Sequence, residues 1–137
     1  MSKILLTLFL LLNLSTWISC AQNNVAKDQK LVLETILSDK TLGYIEKGKE
    51  YVLIKNDKTD FESGSVIKLS NNTIRVVNNE PEDKLALEFI NYEYTDKIIY
   101  IELRLFQKNV FYRATYSKTK EDSLQVLLKE FLFIRQE

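Results

Sequence analysis

From Tyr51 to the end of the chain, apolar residues recur at every second position, and this constrains the fold more than any other feature. A period of two puts alternate side chains on opposite faces of a strand, so a chain that keeps it this long must build a sheet with one buried face. Strands are expected at residues 51–55, 65–69 and 73–77. The last two are joined by Ser70-Asn71-Asn72, residue types that favour turns.

The C-terminal half allows a register to be derived. With Lys108-Asn109 as a two-residue turn, Leu105/Tyr112, Leu103/Ala114 and Ile101/Tyr116 face each other on one side. Phe106/Phe111, Arg104/Arg113, Glu102/Thr115 and Tyr100/Ser117 fall on the other. With Asp96-Lys97 as the preceding turn, Tyr94/Ile99, Tyr92/Ile101 and Ile90/Leu103 join the same apolar face. Two turns agree on one face, which places Tyr92, Tyr94, Tyr112 and Tyr116 in the core. A last strand is expected over residues 124–135. Its Phe131-Leu132-Phe133-Ile134 is apolar on both sides, so part of the second face should be covered as well.

One segment has a different period. Residues 25–41 carry Val32, Leu33, Ile36 and Leu37 as a stripe at helical spacing, with Gly43 beyond as a C-terminal stop. One helix followed by strands defines an α+β domain over residues 25–137. The N-terminal helix packs on a curved, mostly antiparallel sheet built largely as a meander.

Composition removes several function classes. The 137 residues have room for one domain and a targeting segment, and 19 basic residues balance 19 acidic ones, so no footprint for nucleic acid exists. The chain has no histidine, which excludes His-based acid–base chemistry and His metal ligands. Three glycines and one proline leave no phosphate-cradling loop, and no cofactor is expected. Asp57, Asp60 and Glu62 lack the spacing that wraps a cation, and residues 80–83 lack the glycine for the turn, so no metal is expected either. The strand acids Glu88, Glu93 and Glu102 are the only carboxylates suited to acid–base work, and a flat face is no cleft for them. The expectation is a protein that is not an enzyme.

Residues 1–19 read as a signal peptide. Lys3 supplies the positive start, and the apolar stretch from Ile4 to Leu14 spans roughly 17 Å as a helix, too short for a bilayer core of ~30 Å. The stretch leads to Trp17-Ile18-Ser19-Cys20, which contains the only cysteine. This run resembles the lipobox of bacterial lipoproteins, although a leucine is usual where Trp17 stands. The resemblance implies cleavage before Cys20, diacylglycerol on its thiol and usually an acylated amine. Two or more chains suffice for stable anchoring. Residues 20–24 then form a tether. Fifteen lysines against four arginines, with ten asparagines, suit an A/T-rich bacterial genome. Ser19-Cys20-Ala21 also fits an ordinary signal-peptidase site, which would release a soluble chain beginning at Gln22.

The element order of residues 25–137 is similar to cystatin-like and nuclear-transport-factor-2-like folds, in which a curved sheet wraps a helix. It also resembles small envelope lipoproteins of A/T-rich Gram-negative bacteria. These resemblances imply a domain tethered to the membrane through lipid on Cys20, facing the periplasm or the cell surface, with an envelope protein or peptide as partner. The alternative is a secreted inhibitor or immunity-type protein that blocks a partner through its sheet face. The candidate binding patch is Arg104, Arg113, Glu102, Tyr100 and Phe111 on the polar face. There the guanidinium fork suits an anion or carboxylate. Against it stands a solvated sheet face whose charges neutralise one another.

Overall fold

The structure, a computed structural model, describes residues 24–39, 46, 48–79, 85–106 and 109–133. Helix α1 covers residues 24–37. Seven strands follow: β1 (Glu50–Ile54), β2 (Val66–Lys68), β3 (Thr73–Val77), β4 (Ala86–Tyr94), β5 (Ile98–Leu105), β6 (Val110–Lys118) and β7 (Leu124–Phe133). They form one mixed sheet in the order β2-β3-β1-β4-β5-β6-β7. The class is α+β, one helix on a seven-stranded sheet.

The expected helical stripe is the face that α1 buries. Val32, Leu33, Ile36 and Leu37 join Tyr51, Leu53, Ile74, Val76, Leu87, Phe89, Ile101, Leu103 and Tyr112 in one core. The helix stops at residue 37, short of the expected 41. The Asp39 amide bonds the Ile36 carbonyl at 3.1 Å, an i→i−3 contact that tightens and ends the last turn. Gly43 lies outside the described residues.

From β4 to β7 each strand pairs antiparallel with the next. The meander does not extend to the first three strands. β1 lies between β3 and β4 and is parallel to both. Its sequence carries the reason: Tyr51, Leu53 and Ile54 are buried and Val52 is half-buried. A near-continuous apolar run suits a strand with neighbours on both edges. β2 and β3 form the expected hairpin, closed by the Leu69 amide on the Asn72 carbonyl at 2.9 Å.

The β5–β6 register differs from the derived one by two residues. Leu105 pairs with Val110, Leu103 with Tyr112, Ile101 with Ala114 and Ile99 with Tyr116, so four residues, 106–109, connect the strands. Asn109 takes the positive φ of 49° that its type tolerates. A slip of two keeps every side chain on its face. It also replaces the unfavourable Arg104/Arg113 pair with Glu102 opposite Arg113, and buries Val110 completely.

β4 follows its derived register only from Tyr92 onward. Tyr94 pairs with Ile99 and Tyr92 with Ile101, but the next pair is Phe89 with Leu103, because Ile90 is an extra residue in a bulge. Ile90 is therefore 39% exposed, and Phe89 takes its expected core position. Tyr94 also departs from expectation. It is 53% exposed at the end of its strand, while Tyr92, beside it at 5.7 Å, packs against the core. Tyr112 and Tyr116 are buried as expected.

Both margins of the sheet are tied to α1. Glu34 accepts the Ser70 amide at the β2–β3 turn. At the other margin Asp28 takes the ammonium of Lys118 and Asp39 that of Lys129, at 2.8 Å in the second case. Laid flat, β2 and β7 would stand ~29 Å apart at ~4.8 Å per strand, well beyond a helix ~10–12 Å across with its side chains. The sheet therefore curls around the helix.

Candidate functional site

The face turned away from α1 carries the candidate patch, and the pairings arrange it in rows across β4 to β7. One row runs Glu88, Arg104, Phe111, Leu132; the next Asn91, Glu102, Arg113, Glu130; the third Glu93, Tyr100, Thr115, Leu128. In the middle row Arg113 donates through Nε to Glu102 at 3.2 Å and has Glu130 opposite on its other side. Arg113 is thus matched by its neighbours, as in the solvated reading of this face.

Arg104 is different. The structure places it opposite Phe111 rather than Arg113, with its Cζ 4.2 Å from the centroid of the Phe106 ring. Its Nε is buried and has no hydrogen-bond partner. The acid opposite it on β4, Glu88, accepts instead from Asn56 Nδ2 at 3.3 Å. Tyr100 lies two rows from Phe111 and is half-buried. The patch named from sequence thus shares one face but divides into a neutralised pair, Glu102 and Arg113, and an unmatched cation among aromatic rings. Cys20 lies outside the described residues.

The expected cover over the second face is missing along β7. Leu128 and Leu132 on that face are exposed, as are Val126, Leu127 and Phe133, the last at 65%. β7 is the last strand of the sheet and pairs only with β6.

Three polar features inside the fold were not apparent from sequence. Gln29 is completely buried on α1; its Nε2 donates to the Lys58 carbonyl at 2.7 Å and its Oε1 accepts from the Asp60 amide at 2.9 Å. It precedes Val32 and Leu33 by one turn, so its position on the apolar stripe was the available signal. The Tyr112 and Tyr116 hydroxyls lie 2.8 Å apart in the core. Burial, and then the Tyr112 hydroxyl, holds the Tyr116 phenol above its ordinary ionisation range. Burial also raises Tyr92, whose buried hydroxyl has no partner. These groups rigidify the domain and are not arranged for chemistry.

A cleft of about 220 Å³ at the N-terminal end of α1 is lined by Asp28, Asp96, Lys118 and Asp122 among others. Its charges are largely matched, Asp28 by Lys118 and Asp122 by Lys27 at 2.8 Å. Among the described residues no three Cys, Asp or Glu side chains are grouped to hold a metal. No helix among them is long and apolar enough to cross a membrane. No known protein family matches the chain, and no curated protein or solved structure is similar to it.

Proposed function

We propose that the chain is a non-enzymatic lipoprotein of the bacterial cell envelope, held to the membrane through lipid on Cys20, with its α+β domain serving as a binding module. The observation that carries the anchor is the run Trp17-Ile18-Ser19-Cys20 directly after a short apolar segment. Four residues separate Cys20 from the start of α1, a reach of at most roughly 14 Å. A lipid at Cys20 would keep the N-terminal end of α1 at the membrane. The Thr95–Ile98 turn and the 119–123 loop share that end, because Asp28 on α1 bonds Lys118 and Lys27 bonds Asp122. The connection at residues 106–109, at the opposite end of β5 and β6, would then point away from the membrane, with the Arg104 face beside it.

The binding role is supported by that face, where an arginine without an acid partner sits among half-exposed aromatic side chains. Intact mass and membrane fractionation of the natural chain beside Cys20→Ala test the anchor. A chain beginning at Cys20, carrying acyl mass and leaving the membrane on substitution, is the expected result. An unmodified soluble chain beginning at Gln22 would end the anchor reading and favour the secreted inhibitor, which Ser19-Cys20-Ala21 supports.

A further inference from the structure

Among the described arginines, Arg75 pairs with Glu50 at 3.0 Å and Arg113 with Glu102, but Arg104 makes no hydrogen bond or ion pair. A donor that is buried and unmatched is costly to keep, because folding removes its water and returns nothing. The guanidinium is committed on one flat side only, against Phe106. That stack holds the plane still and leaves the N–H edge for an acceptor. Glu88, the one carboxylate its register supplies across β4, is engaged by Asn56. The remaining surroundings are apolar: Phe106 beneath it, Phe111 beside it on β6, and Leu132 one strand further along the same row.

We propose that this face docks an extended polypeptide segment of a partner, whose Asp or Glu carboxylate, set between apolar side chains, closes on Arg104. The inference rests on the reading of the domain as a binding module and commits that module to one partner chemistry. Charge complementarity selects the carboxylate, since the row holds one cation without its anion. The rings and Leu132 select its apolar flanks, and they exclude water from the pair, where a charge-assisted hydrogen bond is stronger. Arg104 sits on the open face of a sheet, with its row spanning ~10 Å from β5 to β7, which suits a few side chains of a crossing segment.

The test uses the full chain, isotopically labelled at arginine, with an N-acetylated and C-amidated Leu-Glu-Leu tripeptide as probe. The Arg104 Nε–Hε resonance should shift and saturate. The matched Leu-Gln-Leu peptide and the Arg104→Gln chain, followed through the Phe111 amide, should bind at least about tenfold more weakly. Glu88→Gln should leave binding and stability intact. Equal binding of both peptides would overturn the proposal, as would equal response to acetate alone, which has no apolar flank. Loss of stability in Glu88→Gln would make Arg104 the partner of Glu88 and overturn it too. None of these readouts depends on acylation. A soluble chain that binds the peptide removes the anchor alone, and an acylated chain that does not bind removes this inference alone.

Discussion

Replacing Gln29 by leucine should cost about 2 kcal/mol, although it puts an apolar side chain of similar size into an apolar core. Gln29 uses both ends of its amide, donating to Lys58 O at 2.7 Å and accepting from Asp60 N at 2.9 Å. Leucine leaves both loop groups without partners, at ~1–3 kcal/mol for each one that water cannot reach. Lys58 and Asp60 are themselves exposed, so water recovers part of the loss, and the added apolar burial offsets a further part. The net of about 2 kcal/mol corresponds to a fall in Tm of roughly 8–12 °C for a domain of this size. Urea unfolding measures the energy, and hydrogen exchange at the Asp60 amide reports the mechanism, since that amide should lose its protection. A cost below ~0.5 kcal/mol, or an Asp60 amide still protected, would refute the reasoning. Gln29→Glu adds a check of sign. Burial, with the Lys58 carbonyl facing it, would hold the new carboxyl above its usual ~4.3, so the folded state keeps a proton that the unfolded state releases. That variant should be closest to the natural chain near pH 4 and lose ground as pH rises toward 7.

The buried hydroxyl pair predicts non-additivity. Tyr116→Phe strands the Tyr112 hydroxyl and should cost ~1–2 kcal/mol, whereas adding Tyr112→Phe should cost little more, which a double-mutant cycle in urea would show. Glu102→Lys puts two cations opposite each other beside β6. It should cost about 1 kcal/mol, limited by the partial exposure of Arg113, while contacts between Leu103 and Tyr112 in NMR spectra show the register unchanged. Above pH ~10 the domain should lose stability. Burial keeps the phenols of Tyr51, Tyr92, Tyr112 and Tyr116 protonated in the fold at pH values where unfolded tyrosine ionises. The bonds of Lys129 to Asp39 and of Lys27 to Asp122 raise those ammonium groups too, so their contribution is present below ~10.4 and fades as pH passes the raised values. Absorbance at 295 nm should show these four phenols ionising together with the loss of circular dichroism, and their ionisation in an intact fold would contradict the argument.

How far such features can be read from sequence depends on the length scale that specifies them. The stripe of Val32, Leu33, Ile36 and Leu37 and the faces of β5 and β6 follow from periodicity alone, and all these residues lie where the period puts them. Partners within a face do not follow, because a slip of two residues keeps the binary pattern. The clash of Arg104 with Arg113 in the shorter turn was the one sign that the register needed to move. The bulge at Ile90 shifts the pattern by one residue and was invisible for the same reason, since Phe89 and Ile90 are interchangeable to a hydrophobicity rule. The candidate patch was legible as a face. Its division into a neutralised Arg113 and an unmatched Arg104 was not, because that rests on which side chains stand opposite each other.

The place of β1 has a consequence for how the chain reaches this state. Tyr51 pairs with Ile74 and Val52 with Ala86, so the strand at the middle of the sheet waits for partners that lie well ahead of it in the chain. β4 to β7 pair through local turns and bear no such loop-closure cost. When the polypeptide emerges N terminus first across a membrane, Tyr51-Val52-Leu53-Ile54 is presented early with both edges open. The four-strand meander can assemble before that gap closes. Refolding rates should accordingly respond to truncations at Ile101 and Leu103, whereas truncation at Leu53 should act mainly on the rate of unfolding.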